Sequence, residues 1–168
     1  ANPWVVGVST TSKTFSTDSG PVTIAYTNAT LSGTPTLGTG YTGGIVGNTQ
    51  NALLFSLSGA STTITISFSG QPGGSVSNVG FALYDVDNSE VATFTSNAGG
   101  PTNLASSLHN SADLGAGTIT GDGAGAASTS ADGNAYIYFN RDGITTVTIN
   151  YTGSGAAVVL TDITFMGK

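Results

Sequence analysis

The carboxylates of this chain are few and unevenly placed. None occurs between Asp18 and Asp85, and then Phe81-Ala82-Leu83-Tyr84-Asp85-Val86-Asp87-Asn88-Ser89-Glu90 brings three within six residues. Phe81, Leu83, Asp85 and Asp87 share one parity, so a strand here carries its apolar face inward and ends in two carboxylates on that face. One pleat separates them by roughly 7 Å, and like charges at that spacing repel unless a cation or donors lie between. No Lys or Arg is near in sequence. A hard cation with oxygen ligands, Ca²⁺, is the natural counterweight. Asp85-x-Asp87-x-Ser89 has the first ligand spacings of an EF-hand loop, but Glu90 stands where that loop needs Gly and Ser96 where it needs Glu. Other segments must then complete the site: Asp132 and Asn134 of Asp132-Gly133-Asn134, Asp162, and backbone carbonyls. The predicted calcium ligands are therefore Asp85, Asp87, Glu90, Asp132, Asn134 and Asp162. The plainer alternative is a hydrated Asx-turn at Asp87-Asn88-Ser89.

Catalysis finds little material. His109 is the one histidine, in Leu108-His109-Asn110-Ser111, and no serine sits in a G-x-S-x-G elbow. Asp85 and Asp87 could be cast as a glycosidase pair. Glycosidases surround such a pair with aromatics in a deep cleft, and this chain has one Trp, near its start. No catalytic residue is expected, and the chain reads as a non-enzyme.

A binding role has a better candidate. Ala135-Tyr136-Ile137-Tyr138-Phe139 puts Ile137 and Phe139 on one face and Tyr136 and Tyr138 on the other. If the first pair is core, the tyrosines form an exposed ladder able to stack on sugar rings. If the parity is reversed, or a loop covers them, they are core themselves.

Strands must position these groups. The chain has 168 residues, among them 27 Thr, 25 Gly and 20 Ser, no Cys, and only 7% charged residues. Period-2 alternation is pervasive and capped helical periodicity absent. It predicts inward sets Val22/Ile24/Tyr26, Leu53/Phe55/Leu57, Ile64/Ile66/Phe68, Val79/Phe81/Leu83 and Val147/Ile149/Tyr151, with a last strand over 158–165. Turn clusters at 70–74 and 97–101 separate them. Asn140-Arg141-Asp142-Gly143 predicts a hairpin joining 135–139 to 144–151. Gly115 to Gly133, with Gly121, Gly123 and Gly125, reads as a surface loop or a Gly/Ala edge ribbon, since the strand-then-helix setting of a phosphate loop is missing. The expected fold is all-β: an antiparallel two-sheet β-sandwich, jelly-roll-like, of about ten strands.

Net charge is −6, and residues 14 to 140 contain no Lys or Arg. Nucleic acid, which needs clustered Lys and Arg, is excluded as a partner. So is an anionic membrane surface, and no apolar run is long enough to insert in a bilayer. The absence of cysteine removes disulfides and thiolate metal sites. The start at Ala1 resembles a chain after signal-peptide removal, and the Ser/Thr/Gly-rich acidic composition suits an extracellular or cell-surface location. Two N-x-[ST] sequons, at Asn28 and Asn150, fit that setting.

The first twelve residues invite an assembly reading. Trp4-Val5-Val6-Gly7-Val8 is an apolar strand followed by the polar Ser9-Thr10-Thr11-Ser12. It is either the first strand of its own sandwich or a donor segment (1–12) that completes the sheet of another copy, with 13–168 as a single sandwich domain. Strand addition supplies main-chain hydrogen bonds and fills pockets with alternate side chains, here Trp4, Val6 and Val8 with Val5 on the other face. Donation that does not close makes a homopolymer. Scarce Lys leaves edge strands without their usual protection.

From Val76 to Asp87 the sequence resembles a loose family of microbial secreted and cell-surface jelly-roll-like β-sandwich modules of adhesin, matrix and filament-subunit type. The shared pattern is an apolar strand ending in D-[VI]-D, a Gly/Asp-rich stretch, a strand like Gly133–Phe139, then Ile144–Tyr151 and a final Leu160–Phe165. The resemblance implies a jelly roll, an extracellular setting, and calcium near Asp85, Asp87 and Asp162. The expected role is a secreted structural subunit of an extracellular filament or matrix, assembled by strand donation and stabilised by calcium. The alternative is a carbohydrate-binding or adhesive surface module using Tyr136 and Tyr138.

Overall fold

The computed structural model describes residues 11–32, 52–127, 130–153, 157–161 and 163–167. Its strands are β1 (Ser12–Thr17), β2 (Gly20–Tyr26), β3 (Ala29–Ser32), β4 (Leu53–Leu57), β5 (Ser61–Ser67), β6 (Val76–Tyr84) and β7 (Val91–Ser96). There follow β8 (Asn103–Ala105), β9 (Asn110–Asp113), β10 (Thr118–Gly121), β11 (Ala135–Phe139), β12 (Thr146–Thr152), β13 (Ala157–Leu160) and β14 (Thr164–Gly167). A 3₁₀ turn, Pro72–Gly74, is the one helical element among the described residues. Sheet A has the order β1-β2-β5-β12-β7-β10-β9 and sheet B the order β3-β4-β13-β6-β11-β8, with β14 also on β6. Every pairing is antiparallel.

The alternation read from the sequence decides which side chains meet between the sheets. Ile24, Ile64, Ile66, Val147, Ile149 and Phe94 from sheet A pack with Leu53, Phe55, Val79, Leu83, Ile137 and Phe139 from sheet B in one cluster. Tyr26 meets Phe55 edge-on at 5.4 Å, and Phe81 meets Phe94 at 6.1 Å, so aromatic contacts tie the two layers together. Each such side chain, fully buried, contributes about 1.5–3 kcal/mol of transfer free energy. The expected inward sets are buried, with Leu57 at the border only partly so.

The all-β, jelly-roll-like two-sheet architecture is as expected, but the strands number fourteen rather than about ten. The extra ones are short. Strands β8, β9 and β10 have three or four residues, mostly polar, and too few apolar positions to show a period. Strand β10 lies inside the stretch expected to be loop or edge ribbon, and Ile119 is its one buried residue.

Two local expectations are corrected. Asn140–Gly143 does not close a hairpin: β11 pairs with β6 and β8 in sheet B, whereas β12 pairs with β5 and β7 in sheet A. The turn carries the chain from one layer to the other, with Gly143 at φ 73 and Ile144 bridged to Val76. The last strand is also broken. Strand β13 pairs with the end of β6 (Leu160 opposite Leu83) and β14 with its start (Gly167 opposite Val76). At the break the Thr161 N–H still donates to the Ala82 carbonyl (3.0 Å), while its hydroxyl accepts from the Ala82 N–H (2.8 Å) and donates to the same carbonyl (3.1 Å).

The two outer faces differ. Sheet A presents hydroxyls in rows, Thr65–Thr148–Thr95 in one and Thr63–Asn150–Thr93–Thr118 in the next. On sheet B the corresponding positions are Leu54, Val159, Tyr84 and Ala82, which form a second apolar cluster with Ala52. Residues Trp4, Val5, Val6 and Val8, read as a donor strand, lie outside the described residues.

Candidate functional site

Strands β6 and β11 build the candidate binding face. Tyr138 stands opposite Gly80 and Tyr136 opposite Ala82. Ile137 and Phe139 are buried beneath, so the tyrosines point outward, 47% (Tyr136) and 40% (Tyr138) exposed. The partners on β6 are small, and this shapes the surface. A Cβ on Gly80 would lie 3.1 Å from Cδ2 of Tyr138 and 3.1 Å from Oγ1 of Thr164, both tight contacts. The ring therefore lies low over the β6 backbone with its outer side open to solvent. Beside it runs an open groove of about 430 Å³ lined by Gly80, Phe81, Ala82, Tyr84, Tyr136, Ile137, Thr161 and Thr164. The two rings sit one pleat apart, roughly 7 Å.

The groove's polar atoms are partly committed. The Thr164 hydroxyl donates to the Gly80 carbonyl (3.2 Å), and the Thr161 hydroxyl donates to Ala82. The Tyr136 hydroxyl accepts from Nδ2 of Asn134 (3.3 Å), which leaves its own hydrogen to give. Sequence reasoning found both tyrosines but missed Gly80, Ala82, Thr161 and Thr164. The available signal was the second parity of β6, where small residues alternate with Val79, Phe81 and Leu83.

The acidic cluster lies where the same two strands end. Strand β6 stops at Tyr84, and Asp85 takes a left-handed conformation (φ 70) rather than continuing the pleat. Asp87 and Glu90 are buried, 3% and 6% exposed. N–H donors knit the turn: Asp87 N–H to Oε2 of Glu90 (3.1 Å), Asn88 Nδ2 to Oδ1 of Asp87 (2.8 Å), and Ala126 N–H to Oδ2 of Asp87 (2.6 Å). Asn110 clamps the base, donating from Nδ2 to the carbonyls of Val86 (2.8 Å) and Asn134 (3.1 Å) and accepting from the Ser107 N–H (2.8 Å). Burial, with the nearby Asp87 and Glu90 charges, pushes the Asp85 carboxyl up to about 6. Burial also raises Glu90. The phenol of Tyr151, which donates to the Asp85 carbonyl (3.2 Å), is pushed far up by its own burial and by Glu90.

The glycine string packs onto this turn. Gly121 N–H donates to the Glu90 carbonyl (2.8 Å), and a Cβ on Gly121 would collide with the carbonyls of Asp87 and Asn88. Gly133 lies against Asp85 and Asp87 from the other side, and its carbonyl accepts from the Val86 N–H (2.8 Å). The structure thus gathers Asp85, Asp87, Glu90 and the 132–134 segment at one end of the sandwich, while Asp162 lies outside the described residues. Among the described residues no group of three or more His, Cys, Asp or Glu side chains is arranged to hold a metal ion. Both Asp87 oxygens already accept N–H bonds. A small cavity of about 250 Å³ beside the cluster is lined by Asn88, Ser89, Glu90 and Gly153.

His109 pairs through Nδ1 with the exposed Asp122 carboxylate at 3.3 Å, away from the groove residues. The bond from the Ala124 N–H, with His109 beside it, holds Asp122 below the usual carboxylate range. Among the described residues no helix is long and apolar enough to cross a membrane.

No protein-family model matches the chain, and no curated protein matches it. Solved structures show a distant likeness. A low-affinity xylan-binding module, CBM86 from the gut symbiont Roseburia intestinalis, is 16% identical over 94% of this chain and 96% of its own, with a TM-score of 0.38. A mutant of the family 29 carbohydrate-binding module CBM29-2 is 13% identical over 92% and 90%, with a TM-score of 0.39. The mannan-recognising module TmCBM27 is 10% identical over 94% and 89%, with a TM-score of 0.33. Likeness at this level assigns no residue and no ligand, so any role for the groove stands on its own geometry.

Proposed function

We propose that this chain is a non-catalytic glycan-binding module that works outside the cell or on its surface, gripping sugar rings on the outer face of sheet B. One observation carries the reading: Tyr136 and Tyr138 project side by side from β11 opposite the small residues Ala82 and Gly80, with Tyr136 at the wall of an open groove. Tyrosine joins a flat apolar face to a polar tip, which suits a ring with both CH and OH groups. Titration calorimetry against a panel of soluble oligosaccharides tests it. A binding sugar should lose at least about tenfold in affinity with Tyr136→Ala or Tyr138→Ala, a change of about 1.4 kcal/mol. A panel with no binder refutes the reading.

Assembly through residues 4–8 is a second proposal. The outermost strands β1, β9, β3 and β8 carry Lys13 and Asp113 as their only charges, so little guards those edges against pairing. Electron microscopy of the full chain and of a variant lacking residues 1–9 tests it: filaments from the first and none from the second support donation, and equal behaviour refutes it. Calcium as a stabiliser near Asp85 and Glu90 is proposed on the crowding of carboxylates there. A chelator that leaves the melting temperature unchanged removes it.

A further inference from the structure

We infer that the groove selects uncharged sugar chains and turns away uronates and sulfated sugars. This inference rests on the glycan-binding reading and adds the ligand's chemical class. None of the described side chains lining the groove is charged. An anionic sugar brings groups that only accept hydrogen bonds, so it needs donors or cations. The hydroxyl hydrogens of Thr161 and Thr164 are spent on the carbonyls of Ala82 and Gly80, and Tyr136 keeps one to give. A neutral sugar hydroxyl can donate as well as accept, so the lone pairs left on Thr164 Oγ1 serve it and not a carboxylate.

Long-range charge acts the same way. The groove runs toward the end of β6, where Asp85, Asp87 and Glu90 gather. Cations are remote. Arg141 lies beyond the opposite end of β11, its Nε donating to the Gly100 carbonyl at 2.9 Å, and Lys13 is on the outermost strand of sheet A. With a net charge of −6, the field at the groove repels an anion at low salt.

The experiment uses the full chain and two probe sets. The first is the β-1,4-linked hexasaccharides of glucose, xylose and mannose; the second is hexagalacturonic acid. Calorimetry at low ionic strength should find a neutral binder, with hexagalacturonic acid at least about tenfold weaker. Thr164→Lys, at an exposed position, should bring the acidic sugar to within about threefold of the neutral one. Hexagalacturonic acid binding as tightly as the best neutral sugar overturns the charge selection and leaves glycan binding standing. If neither set binds, glycan binding itself fails, and the selection with it. An unaltered preference in Thr164→Lys, with its melting temperature unchanged, also overturns the account.

Discussion

The ring of Tyr138 is laid down by the missing side chain of Gly80, whose Cβ position is 3.1 Å from the ring's Cδ2. The stacking surface is thus a property of two strands: β11 supplies the ring and β6 the space beneath it.

Gly80→Val should consequently lift Tyr138 off the sheet while leaving every tyrosine present. The expected result is a loss of sugar affinity of about tenfold or more with the fold retained. Circular dichroism and calorimetry on the same sample check both halves. Unchanged affinity would mean that the low-lying ring is irrelevant to binding.

Stability should fall as pH rises through the mildly acidic range. Burial pushes the Asp85 carboxyl up to about 6 in the folded chain, from 3.8 for the free side chain. Between those values the folded chain holds the extra proton, so its advantage is fully present below the lower value and is lost by the upper one. Glu90 shifts in the same direction. Melting temperature measured from about pH 4 to pH 7 should decline. Asp85→Asn should raise the value at neutral pH and flatten the profile. A calcium ion bound at the cluster would flatten it too, by holding the carboxylates ionised.

Asn110 is 6% exposed and serves three backbone groups in three loops. Asn110→Ala strands the Val86 and Asn134 carbonyls and the Ser107 N–H, at a cost of about 1–3 kcal/mol for each buried group left unsatisfied. Urea denaturation should show a lower midpoint with an unchanged slope. A loss below about 0.5 kcal/mol would mean that water replaces the clamp.

Gly121→Ala forces a methyl against the carbonyls of Asp87 and Asn88, backbone atoms that cannot swing aside. The expected cost is about 2–4 kcal/mol, read by thermal melting, and it should exceed that of Gly100→Ala, where a Cβ has open space around it and the backbone is not left-handed.

Much of the architecture could be read from alternation alone, because between two packed sheets the side-chain period equals the backbone pleat. Ile64, Ile66 and Phe68, or Val147, Ile149 and Tyr151, declare their face without reference to any partner. Pairing is another matter. Asn140–Gly143 has hairpin chemistry, yet the strands around it part into different sheets, since a turn's dihedrals leave open which neighbour each strand takes. The site was visible in proportion to how local it is. Tyr136 and Tyr138 are two residues apart on one strand and were found. Gly80 and Thr164 reach them only through cross-strand register, as Gly121 reaches Asp87 only through a loop folding back, and composition offers no mark for either.

The threonine rows on sheet A have a consequence for any surface this chain coats. In the glycan-binding reading, a slab that grips with its aromatic front would turn a carpet of hydroxyls outward from its back. A fibre covered by such slabs would keep a wettable, nearly charge-free skin, whatever polymer lay beneath.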